Sequence, residues 1–274
     1  MAEARPRRAG VLGRPIAHSL SPVLHRAAYA ALGLDWTYEA IDCGVDELPA
    51  VLAARADWAG FSATMPLKHA LLSAAASVSP VAAAVGAANT LLPGPDGWVA
   101  DNTDVLGVLG ALGEHAVRPA SVAVLGAGGT AQAVLAALPS VGVSSCTVLV
   151  RSRSRATPLL DTAARLGVAV QLDDLAPSAV ALGADLVVST LPPGAADPLA
   201  GFPWTPAQAV LDVVYAPWPT PLADAAARAG ATVLSGALML LHQAAAQVRL
   251  MTALEPPLDA MRAALRAAEP GCGA

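Results

Sequence analysis

Two spacings of apolar residues alternate along this chain. Short runs of Val, Ile, Leu and other apolar residues are followed by longer, Ala-rich stretches of helical character, and the pair recurs. Val11–Gly13 and Thr37–Ile41 read as strands. Ser21-Pro22 opens a helix, because Ser is a good N-cap and Pro suits the first turn. The pattern predicts a helix over Asp46–Ala56, a strand over Phe61–Met65 and a helix over Leu67–Ala76. The stretch from Thr90 to Val99 reads as a hairpin, with Gly94, Pro95 and Gly97 in its turn. A second series follows, with strands expected at Ser121–Leu125, Thr147–Val150, Ala169–Leu172, Leu186–Ser189, Ala209–Val214 and Thr232–Leu234. Nearly continuous apolar strands of this kind belong in a parallel sheet covered on both faces. Helices near Ala237–Ala253 and Pro257–Ala268 close the chain and are expected to pack back on its N-terminal part. The alternation as a whole predicts an α/β fold.

Length and charge narrow the picture. The 274 residues suit two domains of roughly 130 residues each. A net charge of −5 and a charged fraction of 14% argue against nucleic acid, which calls for a basic face. No uninterrupted apolar run reaches the ~18–20 residues of a membrane helix. The richest run, Ala231–Leu241, meets His242, Gln243 and then Arg249. Arg5, Arg7 and Arg8 are followed by no apolar core, since Arg14 and His18 interrupt it, so no signal peptide is expected. Cys43, Cys146 and Cys272 are odd in number and far apart, which predicts reduced thiols and a cytoplasmic protein. No His, Asp or Glu cluster has metal-ligand spacing, and no metal is expected.

Candidate chemistry concentrates in three places. Lys68 follows one strand and opens a helix, and Asp104 lies in a similar setting after another. A Lys and an Asp converging in a cleft form a proton-transfer pair. Hydroxyls and amides surround them: Ser19, Ser21, Ser62, Thr64, Asn89, Asn102 and Thr103. Such a set suits a small polyhydroxylated or carboxylated substrate. Next, Gly126-Ala127-Gly128-Gly129-Thr130-Ala131 follows a strand and opens a helix. Glycines there let the backbone turn sharply and approach a pyrophosphate, whose charge rests on the helix N-terminus. Last, the second strand of that series ends at Arg151-Ser152-Arg153-Ser154-Arg155, with no acid to hold a ribose hydroxyl. Arginine forks match phosphate, so the expected cofactor is NADP, with Arg151 and Arg155 on its 2′-phosphate and Ser152 donating a hydrogen bond.

Seven blocks, in order, resemble the shikimate dehydrogenase family. They are Gly13–Pro22, Thr64–Lys68, Gly86–Thr90, Asp101–Asp104, Gly126–Gly129, Asp212–Tyr215 and Gly236–Gln243. The resemblance spans nearly the whole chain. It implies NADPH-dependent, reversible reduction of 3-dehydroshikimate to shikimate, on the route to chorismate and the aromatic amino acids. It further implies that Ser19 and Ser21 hold the substrate carboxylate. Thr64, Asn89, Tyr215 and Gln243 would bind the ring hydroxyls. Lys68 and Asp104 would be the catalytic pair, and Val213 and Gly236 would lie near the nicotinamide. Two positions depart from the family pattern: Ser62 stands where Asn is frequent, and the second strand ends Val150-Arg151-Ser152 where Asn-Arg-Thr is common.

The combined expectation is an N-terminal α/β substrate domain, residues 1–104 with 236–274, and a Rossmann-type NADP domain, residues 105–235, with a cleft between them. A small molecule is the expected partner, with neither nucleic acid nor membrane, in a monomer or homodimer. The nearest alternatives are a quinate/shikimate or an aminoshikimate dehydrogenase. A non-catalytic ligand sensor on the same fold is a further one, against which the presence of both Lys68 and Asp104 speaks. His18 is expected to order its loop. His25 and His69 are expected on helix surfaces, and His242 in a structural role.

Overall fold

A computed structural model describes residues 7–177 and 180–274 of the chain. Arg5 lies outside the described residues, whereas Arg7 opens the first strand. The chain divides into two compact units, residues 1–103 with 243–268 and residues 104–242 with 269–274.

In the first unit, strands and helices alternate as β1 (Arg7–Gly13), α1 (Ser21–Ala31), β2 (Trp36–Asp42), α2 (Leu48–Ala53), β3 (Gly60–Ala63), α3 (Ala70–Ala74), β4 (Ser77–Val78), α4 (Pro80–Val85), β5 (Thr90–Gly94) and β6 (Gly97–Asp101). The sheet order is β2-β1-β3-β5-β6-β4. β5 pairs antiparallel with both its neighbours, and the other pairings are parallel. Successive side chains of a strand point to opposite faces, and both faces of β1 are covered. Leu12 joins Phe61, Leu67, Leu71 and Leu91 on one side. Ala9 and Val11 join Tyr29, Tyr38 and Met251 on the other. Each fully buried leucine contributes roughly 1.5–3 kcal/mol, which explains why these strands read as apolar runs.

In the second unit, α5 (Asp104–Glu114) leads into β7 (Val122–Leu125), α6 (Gly129–Ala137), β8 (Ser145–Val150), α7 (Thr157–Leu166), β9 (Ala169–Asp174), β10 (Leu186–Ser189), β11 (Ala209–Asp212), α8 (Pro221–Arg228), β12 (Thr232–Ser235) and the start of α9 (Gly236–Thr252). All pairings in this sheet are parallel, in the order β12-β11-β10-β7-β8-β9. That is the doubly wound order, and chain direction across the sheet reverses between β7 and β10. Ligands of such sheets bind beyond the carboxyl ends of the strands at this reversal. The last helix, α10 (Leu258–Ala268), packs along α1 in the first unit.

The two α/β layers follow the alternation read from the sequence, and β10 occupies the predicted residues. Four local expectations are corrected. The helix expected from Leu67 begins at Ala70, because the Lys68 carbonyl accepts the Ala88 N–H at 2.7 Å. Lys68 therefore sits in a turn, not in a helix. Ser21 is the first residue of α1 rather than its cap, and Leu20 occupies the N-cap. The helix expected over Asp46–Ala56 is confined to Leu48–Ala53, with a proline in its first turn. β4 and α4 were not foreseen, since the Ala-rich stretch around residues 74–88 shows no clear period.

Candidate active site

In the first unit, hydrogen bonds link the segments that carry Thr64, Lys68, Asn89, Thr103 and Gln243. The turn after β3 is held from both sides by backbone: Thr64 N–H donates to Leu12 O at 2.9 Å, and Leu67 N–H to Thr64 O at 2.9 Å. The Ala63 N–H donates to Asn89 O at 2.8 Å. With the Lys68–Ala88 bond, this places Thr64, Lys68 and Asn89 on adjoining, mutually tethered segments. The Asn89 side chain is 1% exposed. Its Oδ1 accepts from Thr103 N–H at 2.8 Å, Thr103 Oγ1 at 3.1 Å and Thr90 Oγ1 at 2.9 Å, and its Nδ2 donates to Gln243 Oε1 at 2.8 Å. These bonds settle which way the amide points. Gln247, one turn further along α9, donates to Thr90 Oγ1 at 3.1 Å. Sequence reasoning missed Gln247. Its signal was the i, i+4 spacing from Gln243, which puts the two on one helix face.

Ser19 and Ser21 lie at the mouth of α1, where the Ser21 N–H donates to Ser19 Oγ at 3.3 Å. His25 Nδ1 lies 2.9 Å from Ser21 O and must carry the proton there, because a carbonyl only accepts. His25 is fully buried, which corrects the expectation of a surface position. It stacks on Tyr38 with ring centroids 4.0 Å apart, and the Tyr38 hydroxyl meets Ser62 Oγ. Burial pushes the His25 pKa down to about 4, so the ring is neutral at neutral pH. His18 and His69 are exposed.

In the second unit the glycine-rich turn stands at the reversal point. Gly126 has φ +100°, a conformation that L side chains rarely adopt, and an added Cβ would lie 2.8 Å from Thr190 Oγ1. Thr190 belongs to the segment after β10 and donates through Oγ1 to Leu125 O at 2.7 Å. The turn thus touches the neighbouring strand end so closely that only glycine fits. Gly128 differs: it caps α6 with no side-chain hydrogen bond, and a Cβ there would meet nothing within 4 Å. Ala127, Gly129 and Thr130 are half-buried around that opening. Backbone amides at an uncapped helix start beside open space suit an anion.

The arginines after β8 are sorted by their partners. Arg153 is engaged: Nε lies 3.2 Å from Asp174 Oδ1, and Nη1 donates to Leu172 O at 3.1 Å. Arg151 and Arg155 are exposed and make no ion pair among the described residues. Ser152 Oγ and Ser154 Oγ share a hydrogen bond of 3.0 Å. Two free guanidinium forks, with no acid at the end of β8, fit the 2′-phosphate of NADP and leave no acceptor for a free ribose hydroxyl.

Beyond β11, Val213 and Tyr215 are half-buried. Gly236 opens α9 directly against Val213: an added Cβ would fall 1.9 Å from the Val213 carbonyl oxygen. Burial, and secondarily the charge of Glu269, raise the Tyr215 pKa above its ordinary value. Asp104 is 1% exposed as the first residue of α5, where a carboxylate suits the helix dipole. His242 Nε2 lies 2.7 Å from Glu114 Oε1, in keeping with a structural role. Among the described residues no group of three or more His, Cys, Asp or Glu could hold a metal, and no helix is long and apolar enough to cross a membrane.

A doubly wound sheet with a glycine turn at its reversal, joined to a second α/β unit rich in ordered hydroxyls and amides, defines the class of dinucleotide-dependent oxidoreductases. The comparisons with known proteins narrow this. Residues 11–91 match the shikimate dehydrogenase substrate binding domain, and residues 236–266 match the shikimate 5′-dehydrogenase C-terminal domain. The NADP(+) shikimate dehydrogenase of Moorella thermoacetica is 38% identical over 271 residues, covering 94% of this chain and 92% of its own length. The crystal structure of Mycobacterium tuberculosis shikimate dehydrogenase is 49% identical, with a TM-score of 0.87, covering 96% of this chain and all of that one. That of Thermus thermophilus shikimate 5-dehydrogenase, in complex with NADP(H) and shikimate, is 36% identical with a TM-score of 0.83, covering 96% of this chain and 99% of that one. The chain belongs to the shikimate dehydrogenase family.

Proposed function

We infer that this chain catalyses the reversible, NADPH-dependent reduction of 3-dehydroshikimate to shikimate, on the route to chorismate and the aromatic amino acids. The observation that carries the reading is the tethered set of Thr64, Lys68, Asn89 and Gln243. A family member that holds Thr64, Lys68 and Asn89 on segments tethered through their main chain, with the Asn89 amide bonded to Gln243, has what a small polyol acid requires. Ser19 and Ser21 hold the carboxylate, and Thr64, Asn89, Gln243 and Tyr215 take the ring hydroxyls. The first unit thus supplies most of the substrate-binding residues and the second those for the cofactor.

The 126–130 turn would hold the pyrophosphate of the cofactor, and Arg151, Ser152 and Arg155 its 2′-phosphate. Val213 and Gly236 would border the nicotinamide, whose chemistry is to supply the hydride. Lys68 and Asp104 together hold the proton that the ketone oxygen takes up, and recover it in the reverse direction. As a cation, Lys68 also polarises the carbonyl and stabilises the developing alkoxide. The buried free thiols of Cys43, Cys146 and Cys272 fit a cytoplasmic location. A monomer or a homodimer is the expected assembly.

The test is a steady-state assay of cofactor reduction, with shikimate and quinate each tried against NADP and NAD. The expected result is a kcat/KM that strongly favours shikimate with NADP. A preference for quinate or NAD would move the protein to the quinate/shikimate branch while leaving the Lys68–Asp104 assignment in place.

A further inference from the structure

We propose that Asp212 is a positioning residue for this reaction: its carboxylate clamps the 213–220 loop at both ends and so sets Val213 and Tyr215 against the two ligands. The inference rests on the activity proposed above.

Asp212 is the last residue of β11 and is 1% exposed. A carboxylate at that depth has to be matched by donors. Its two oxygens are used separately. Oδ1 accepts the Val214 N–H at 3.2 Å, and Oδ2 accepts the Thr220 hydroxyl at 2.7 Å. Thr220 passes the constraint on: its Oγ1 accepts the Ala223 N–H at 3.1 Å and its carbonyl accepts the Asp224 N–H at 2.9 Å, capping α8. One side chain thereby ties the start of the loop, its end and a helix cap.

Among the described residues, the main-chain anchors besides the clamp lie at the start of the loop, where the Val213 N–H donates to Ser189 O at 3.0 Å. Pro217 and Pro219 have no N–H to donate. At its start, the Gly236 N–H donates to Val214 O at 3.3 Å, and the missing Cβ of Gly236 lets α9 lie against Val213. Val213 and Tyr215 both fall inside the clamped span. Lys68, Arg151 and Arg155 fall outside it. Loosening the clamp therefore weakens the fit at the ring and the nicotinamide, and leaves the 2′-phosphate contacts alone.

The experiment compares Thr220→Val, which keeps the shape and removes the hydroxyl, with Thr220→Ser, which restores it. Asp212→Ala is made alone and combined with Thr220→Val. Each is assayed as the full-length enzyme for kcat and for both KM values, alongside its thermal midpoint. Thr220→Val is expected to raise the shikimate KM about five- to tenfold, as for the loss of one hydrogen bond to a buried charge. Its NADP-to-NAD preference stays that of the parent, and Thr220→Ser stays within about twofold of it. Adding Thr220→Val to Asp212→Ala raises the shikimate KM no further, as two parts of one device require, and costs only the thermal stability of the α8 cap. If Asp212→Ala does not fold, the threonine pair decides alone. A Thr220→Val enzyme whose KM is unchanged, or that loses only thermal midpoint, overturns the clamp and leaves the activity standing. A parent enzyme inert toward shikimate overturns the activity and the clamp with it.

Discussion

The polar cluster around Asn89 and the basic edge after β8 are built on opposite plans. Around Asn89 the side chains order one another: three donors converge on one amide oxygen, and one N–H of the amide nitrogen goes to Gln243. At the other site the groups that matter are left open. Arg151 and Arg155 are exposed, and Gly128 faces empty space. The contrast follows from what each would bind. A small ring with several hydroxyls is told from its relatives by where each donor and acceptor stands, and this demands fixed geometry. A phosphate is a strong, nearly symmetrical anion, which exposed cations and backbone amides recognise without prior order.

The sharpest way to break this contrast is to remove the reacting group from the closed region. Lys68→Ala is expected to cost about 10²–10⁴ in kcat with a modest change in shikimate KM, and an unchanged kcat in a single-turnover assay would take Lys68 out of the mechanism. Asn89→Ala comes next. It strands the Thr103 N–H and the Gln243 amide oxygen, so a stability loss of about 2–4 kcal/mol is expected. Urea unfolding measures it, and a loss near zero would mean that the cluster is not preordered. The same region should respond to acid. His25 titrates at about 4 in the fold, against an ordinary 6.5. Between those values the unfolded chain binds more protons, so stability falls as pH drops from about 6.5 towards 4, by about 2 kcal/mol at pH 5. His25→Leu should flatten that slope in unfolding midpoints taken across the range. The open region should give the smallest and most selective effects. Arg151→Ala is expected to raise the NADP KM about tenfold and leave NAD untouched, whereas Arg153→Ala stays within about twofold because its charge is already spent on Asp174. Equal losses with NAD would sink the 2′-phosphate assignment.

Legibility from sequence follows the same division. The parallel sheet of the second unit could be read because its strands are apolar on both faces, and the glycine turn because its backbone has a single-residue requirement at Gly126. Arg151 and Arg155 could be nominated from the chain; the physical reason that Arg153 differs, its pairing with Asp173 and Asp174 at the end of β9, joins two strands and could not. In the first unit, Asn89 and Gln243 could be nominated, but not their hydrogen bond, which joins residues 154 apart in sequence. His25 was misplaced for a related reason. Its helix looks amphipathic locally, and the aromatic face of Tyr38 that covers it comes from another element. Lys68 was assigned to a helix because nothing local announces that Ala88 claims its carbonyl.

The meeting of Gly236 with Val213 has an evolutionary consequence. Every single-base change that replaces glycine by another amino acid introduces a β-carbon, and here that atom would collide with main-chain atoms that no rotamer change can move aside. The position is thus sealed against drift one step at a time, and could change only after the strand-end loop opposite had moved first.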